Sequence, residues 1–215
     1  MSSITLNPIY EKIIDDLSNQ KYSISDFFFS EEETKQLREA IIRKEDKQNF
    51  HQAAIGSSVN EQIVKSIRGD KIKWIDEENK SHTEEIFFQK INDFIDYLNL
   101  TCYMGIEESE FHYAIYPEGT FYQKHIDAFK NDDRRTLSVV LYLNDEQWKD
   151  EYGGQLTLYL HDENNIEKEL NILPLAGRLA VFDSKTIPHE VKTVFQPRYS
   201  ITGWLKTRGN VLTYL

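Results

Sequence analysis

A chain of 215 residues with 40% hydrophobic and 13% aromatic side chains can bury one substantial core and is read as a single domain, 1–215. Its formal net charge of -11 is spread along the chain, without the clustered Lys and Arg that a phosphate backbone demands, which argues against a nucleic-acid partner. One cysteine rules out an intrachain disulfide, and no apolar run reaches membrane-spanning length, so neither a disulfide scaffold nor a membrane protein is expected.

The opening Met1-Ser-Ser-Ile-Thr lacks the basic and apolar regions of a signal peptide, and the expected location is the cytoplasm. Ile9, Ile13, Ile14 and Leu17 recur at helical spacing and predict a helix over 7–19. Tyr22 to Phe29 predicts a strand. Ser30 and Glu33 make a capping box, and Leu37, Ala40 and Ile41 form the buried stripe of a second helix. Residues 46–81 are polar and irregular, with Gly56, Ser57, Ser58 and Gly69 around the short apolar pieces Ile63-Val64 and Ile72 to Ile75. A connection of that length is expected to be functional or mobile. A third helix over 83–99 carries Phe87, Phe88, Ile91, Phe94, Ile95 and Leu98 on one broad face.

After residue 100 the period changes to two. Glu110 to Tyr116, Phe121 to Ile126, Arg135 to Leu143, Gln155 to Leu160, Ile166 to Ile172, Arg178 to Phe182, His189 to Phe195 and Tyr199 to Lys206 read as strands. Helices first and strands afterwards indicate an α+β chain whose second half is a sandwich or a jelly roll. Gly153 and Gly154 read as a turn or bulge opening a strand, and Cys102 as a small buried apolar residue.

The chemistry gathers around Phe121-Tyr-Gln-Lys-His-Ile-Asp-Ala128. On a strand His125 and Asp127 share a face, so imidazole and carboxylate can converge on one point. His189, in Ile187-Pro-His-Glu-Val191, supplies a third ligand. Two histidines and one carboxylate on one side of an ion form the facial triad of non-haem Fe(II) oxygenases, with three positions left open. Arg198, nine residues after His189, adds a fixed positive fork. His51, His82, His112 and His161 have no such spacing, and His112 is read as a hydrogen-bonded sheet residue.

The segments Tyr116-Pro-Glu-Gly-Thr-Phe-Tyr-Gln-Lys-His-Ile-Asp127, Leu141-Tyr-Leu-Asn144, Gly153-Gly-Gln-Leu156, Pro188-His-Glu-Val191 and Arg198-Tyr-Ser-Ile-Thr-Gly-Trp204 follow one another in a familiar order. In that order and spacing the chain resembles the Fe(II)- and 2-oxoglutarate-dependent prolyl 4-hydroxylases, in the branch of the hypoxia-factor prolyl hydroxylases and their bacterial relatives. Ser66-Ile-Arg-Gly-Asp-Lys-Ile-Lys-Trp-Ile75 is similar to that branch's mobile substrate-gripping loop. The similarity covers most of residues 60 to 206.

The resemblance implies a double-stranded β-helix (jelly roll) core over 101–215. Residues 1–100 would then give helical support plus a mobile substrate loop near 66–80. It implies His125, Asp127 and His189 as iron ligands, with Arg198 holding the far carboxylate of 2-oxoglutarate and Tyr142 donating to the same group. Tyr116, Tyr122, Thr202 and Trp204 would line the cosubstrate and substrate pocket, and Arg68, Asp70 and Trp74 would meet the substrate. Implied cofactors are Fe(2+), 2-oxoglutarate and O2, with ascorbate as reductant and succinate and CO2 as products. The implied partner is a protein carrying a target proline, with elongation factor Tu as first candidate.

Other readings stand beside these. Arg68 and Asp70 also fit a solvated turn centred on Gly69, and Trp74 either anchors the loop or closes a small apolar cluster. Each of Tyr116, Tyr122 and Tyr142 also fits ordinary cross-strand packing. Lys124 and Gly203 depart from the family pattern and are expected to alter pocket shape. For the whole, the rivals are the same oxygenase chemistry on a free amino acid, another side chain or a nucleobase, and a metal-binding barrel without turnover.

Overall fold

A computed structural model describes residues 5–26, 28–47, 50–53, 67–128 and 134–208. The predicted breakers Gly56, Ser57 and Ser58, the piece Ile63-Val64, and Ser66 lie outside the described residues.

All three predicted helices form: α1 (Pro8–Gln20), α2 (Glu31–Asp46) and α3 (His82–Cys102). Asn7 starts α1 by accepting from the Ile9 and Tyr10 N–H groups, and Pro8 occupies a first-turn position where no donor is needed. Ser30 with Glu33, and Ser81 with Glu84, close reciprocal capping boxes that satisfy the orphan donors of α2 and α3. Phe87, Phe88, Ile91, Phe94 and Leu98 of α3 are all buried. Each stabilises the fold by roughly 1.5–3 kcal/mol relative to exposure.

Among the described residues the strands form two antiparallel sheets. The larger runs in the order β1 (Tyr22–Ser25), β9 (Leu179–Asp183), β6 (Arg135–Tyr142), β11 (Arg198–Thr207), β4 (Ile106–Tyr116), β3 (Lys71–Trp74), β2 (His51–Gln52). The smaller runs β5 (Tyr122–His125), β10 (His189–Val191), β7 (Leu156–His161), β8 (Glu167–Ile172). This is the double-stranded, jelly-roll arrangement expected, with the helices laid on the outer face of the larger sheet.

Strand alternation sorts the side chains. Ile201 and Leu205 of β11, Tyr113 and Ile115 of β4, Val139 and Leu141 of β6, and Leu179 and Val181 of β9 share one core with Leu37, Ile41, Phe87 and Phe94 of the helices. The residues between them therefore face the smaller sheet: Arg198, Ser200, Thr202, Trp204, His112, Tyr116, Ser138 and Tyr142. Two smaller clusters fill that inner space, one around Tyr142, Leu158, Phe182 and Ile187, the other around Tyr116, Val191 and Val194 with Tyr122 packed on it.

Several expectations are corrected. The strand predicted over Tyr22 to Phe29 stops at Ser25, whose register partner is Leu179. Beyond that pair Arg178 grips the Asp26 carboxylate through Nε (2.6 Å) and Nη2 (3.0 Å), and Phe28 and Phe29 enter the helical core. The substrate loop near 66–80 contains β3, whose four residues pair with β4 from Lys71↔Ile115 to Trp74↔His112. Just before it, Gly69 donates to the Phe121 carbonyl (3.0 Å) and Gln123 to that of Ile67 (2.8 Å), so residues 67–74 lace the two sheets together. Cys102 is exposed, because the last turn of α3 runs past its packing partners and leaves Leu100 and Tyr103 exposed as well. The strand predicted over His189 to Phe195 is shortened to Val191. The one predicted from Glu110 begins at Ile106, where Lys206 of β11 pairs with Glu110 (2.9 Å) and offsets a polar run without alternation.

Candidate active site

His125 and His189 face each other as register partners on β5 and β10, their ring centroids 4.2 Å apart. Each Nδ1 lies against the carbonyl two residues earlier, Gln123 for His125 (2.8 Å) and Ile187 for His189 (3.1 Å). A carbonyl only accepts, so both Nδ1 atoms carry the proton and both Nε2 lone pairs are left for a ligand.

Asp127 does not sit on the strand, as the shared-face argument had it: β5 ends at His125. Asp127 turns instead towards the larger sheet. Its Oδ2 accepts from Ser138 Oγ (2.6 Å), its carbonyl accepts from Arg135 Nη1 (3.3 Å), and the Ala128 N–H donates to the Ser184 carbonyl (3.2 Å). Convergence is achieved all the same. Oδ1 is 3.5 Å from His125 Nε2, Oδ2 is 3.5 Å from His189 Nε2, and one ligand atom from each residue lies within 4.8 Å of the other two.

The electrostatics fit a metal. Burial opposes ionisation of Asp127, but His189, His125 and Ser138 outweigh it and hold the carboxyl well below its usual range. Burial pushes His189 down to about 4 against the pull of Asp127. One carboxylate oxygen and two imidazole nitrogens, clustered on one side, are the donor set that suits Fe(II) with open positions.

Arg198 is 2% exposed, and among the described residues no carboxylate pairs with it. Its guanidinium lies between the rings of Tyr116 (4.9 Å) and Tyr142 (5.0 Å), and its hydrogen bond is a long one from Nη1 to Ser200 Oγ (3.4 Å). Among the described residues neither Nε nor the buried Tyr142 hydroxyl has a hydrogen-bond partner. A buried, uncompensated guanidinium beside an idle hydroxyl is costly unless an anion arrives, and a carboxylate matches both donors. Room for the arginine comes from Gly154 (φ +69°), where a Cβ would lie 3.0 Å from Arg198 Cδ and 2.8 Å from Val194 Cγ1.

The remaining pocket residues divide. Tyr116 is the register partner of Arg198, and Tyr122 stacks on His125 with centroids 3.7 Å apart and 17° between planes. Thr202 lies on the same inner row, its hydroxyl 3.3 Å from that of Ser200. Trp204 carries Arg135 over its ring at 3.5 Å, and its buried Nε1 has no hydrogen-bond partner among the described residues. Trp74, 45% exposed, stands at the rim against His112. His112 is paired in the sheet with Trp74 and Thr202, its ring flanked by those of Trp74 and Trp204, and among the described residues its buried Nδ1 has no hydrogen-bond partner.

Arg68 and Asp70 are not a solvated turn. Asp70 is fully buried and takes a bidentate grip from Arg68, Nε to Oδ1 at 2.8 Å and Nη2 to Oδ2 at 2.6 Å, while the guanidinium lies 4.3 Å over the Tyr122 ring. The pair thus adjoins the first histidine through one aromatic ring. Gly203 does not shape the pocket, because its missing side chain points to the helical side, where a Cβ would meet the Glu110 carbonyl and the Phe111 ring, each at 2.2 Å. Lys124 also points away, pairing with Glu167 (2.7 Å) over the Tyr159 ring.

Ser138, Ser184 and Arg135 carry no motif and were missed by sequence reading. The inward parity of Ser138 on a strand of apolar residues, Leu137 to Leu141, is the one signal that could have found it.

Residues 111–206 match the family model described as the 2OG-Fe(II) oxygenase superfamily. The chain is 33% identical to a Pseudomonas putida prolyl-4-hydroxylase, covering 94% of this chain and 100% of that one with a TM-score of 0.82. It is 30% identical to a Trichoplax adhaerens prolyl hydroxylase solved with a hypoxia inducible factor oxygen degradation domain peptide fragment, covering 92% and 88% with a TM-score of 0.80. Against human Egl nine homolog 1 the identity is 29% over 90% of this chain and 46% of that protein. The chain spans about half the length of the curated relatives it matches.

Proposed function

Because the chain belongs to the 2OG-Fe(II) oxygenase superfamily, in the group of the hypoxia-type and bacterial prolyl hydroxylases, we propose that it hydroxylates a prolyl residue at C4 within a protein. Iron bound there supplies, with 2-oxoglutarate and O2, the chemistry that puts one oxygen atom into the substrate and the other into succinate as CO2 leaves.

The residues of the chain divide that task. His125, Asp127 and His189 hold the metal on one side. Arg198 and Tyr142 fix the far carboxylate of 2-oxoglutarate. Tyr116 and Thr202, on the same inner face, line its path. Trp204 and Trp74 wall the substrate side, with Arg68 and Asp70 bracing the segment that borders it. The apolar cluster of Tyr116, Val191 and Val194 keeps water from the centre. Arg198 carries the reading: a scaffold that merely binds metal has no use for a buried guanidinium that meets no carboxylate among the described residues.

For the substrate we propose elongation factor Tu, acted on in the cytoplasm with ascorbate as reductant. Incubation with Fe(II), 2-oxoglutarate, ascorbate and proline-containing peptides of that protein is expected to add the mass of one oxygen atom to proline. Succinate released without peptide oxidation would move the reading to another substrate, and no succinate at all would move it to a barrel without turnover.

A further inference from the structure

Asp127 is held by more than its place in the chain. Ser138 Oγ lies 2.6 Å from Asp127 Oδ2 and 2.8 Å from Ser184 Oγ, and Ser138, Ser184 and Asp127 are all buried. A carboxylate only accepts, so the single hydroxyl proton of Ser138 is committed to Oδ2. In the second bond Ser138 must then be the acceptor and Ser184 the donor. The chain of donors therefore has one direction: Ser184 to Ser138 to Asp127. Ser184 also holds the backbone there, its carbonyl accepting the Ala128 N–H (3.2 Å).

This arrangement solves a problem of placement. The two histidines sit on paired strands of the smaller sheet, whereas Asp127 has left β5 and has no ladder to orient it. Its hold comes from the opposite sheet, through Ser138 on β6 and Ser184 after β9. A carboxylate free to rotate would offer the metal either oxygen, or both. Each oxygen borders one histidine, Oδ1 at 3.5 Å from His125 Nε2 and Oδ2 at 3.5 Å from His189 Nε2, but it is Oδ2 that spends a lone pair on Ser138, which leaves Oδ1 the freer of the two for a metal.

We propose that Ser138, aligned by Ser184, is a positioning residue for the metal, setting the rotation of the Asp127 carboxylate so that Oδ1 is the metal-facing oxygen. The inference rests on the metal-site reading above. It assigns the two serines no contact with substrate or cosubstrate.

The test is titration of the metal-free protein with Co(II), followed by its visible absorption. Ser138→Ala is expected to weaken Co(II) binding by roughly 10–100-fold, the usual cost of losing a partner that orients a ligand, and to change the shape of the Co(II) spectrum. Ser138→Thr keeps the hydroxyl and is expected to restore both, while Ser184→Ala should give a smaller loss. Near-ultraviolet circular dichroism of each metal-free variant reports whether it is folded. Co(II) affinity and spectrum unchanged in folded Ser138→Ala would overturn the inference and leave the triad standing. So would a Thr variant as weak as the Ala one, since the effect would then be packing. A wild-type protein that takes up no Co(II) would overturn the metal reading and the inference together.

Discussion

Replacing Arg198 by Gln separates a ligand-binding arginine from a structural one, because the two roles give opposite balances. The side chain is 2% exposed, has no carboxylate partner among the described residues, and makes a 3.4 Å hydrogen bond to Ser200. Its burial penalty of several kcal/mol is offset in part by two cation–π contacts, at 4.9 and 5.0 Å, each worth about 0.5–2 kcal/mol. Glutamine removes the penalty and the contacts together. Unfolding of the metal-free protein in urea should therefore change by no more than about 1 kcal/mol, against the 3–5 kcal/mol expected when a buried ion pair is broken. Binding of 2-oxoglutarate has no such compensation. Losing the fork leaves a buried carboxylate facing Tyr142 alone, a cost of about 3–5 kcal/mol or roughly a hundred- to several-thousand-fold in Kd by calorimetry with Co(II) in the site. Arg198→Lys, which keeps the charge but not the fork, should fall between. A variant that unfolds several kcal/mol earlier yet binds 2-oxoglutarate normally would refute the reasoning.

Three further outcomes are expected. Asp70→Asn leaves the Arg68 guanidinium buried without its bidentate carboxylate and should cost about 3 kcal/mol in urea unfolding; a loss under 1 kcal/mol would place the pair among merely solvated contacts. Gly154→Ala sets a Cβ against Arg198 and Val194 at a positive φ and should lower both stability and 2-oxoglutarate affinity, with Gly119→Ala, whose Cβ meets nothing within 4 Å, lowering stability alone. Burial pushes His112 down from 6.5 to about 4, the positive charge of Arg68 and Arg135 adding to it. Between those values the unfolded chain takes up a proton that the folded one refuses, so stability falls as pH is lowered through that window, by up to about 3 kcal/mol for this residue. His112→Phe should flatten that slope by one proton; an unchanged slope would sink the assignment.

What the sequence made legible follows the reach of each signal. The helices and most strands are written in local periodicity, and the motif around His125, Asp127, His189 and Arg198 is a matter of residue type and order. The route by which Asp127 reaches the histidines is not local. It depends on contacts with Ser138 and Ser184 of the other sheet, and periodicity, which places Ser138 on the inner face, does not name the partner it meets there. Lys71 to Trp74 were hidden likewise, since a short, half-polar strand is stable only against β4, and the inward or outward sense of Gly203 depends on strand parity counted from a register that the chain alone does not fix. Cys102 continues the apolar spacing of Phe94 and Leu98, and its exposure follows from where the helix outruns the sheet.

The central claim is one metal held jointly by residues 125, 127 and 189, with a keto diacid moored at 198. Anaerobic addition of 2-oxoglutarate to the Fe(II)-loaded protein tests it most directly, because chelation of iron by a 2-oxo acid produces a visible absorption band. The band is expected in the wild type, to be absent in His189→Ala, and to need far higher 2-oxoglutarate in Arg198→Gln. A band of undiminished intensity and affinity in folded His189→Ala would contradict the account.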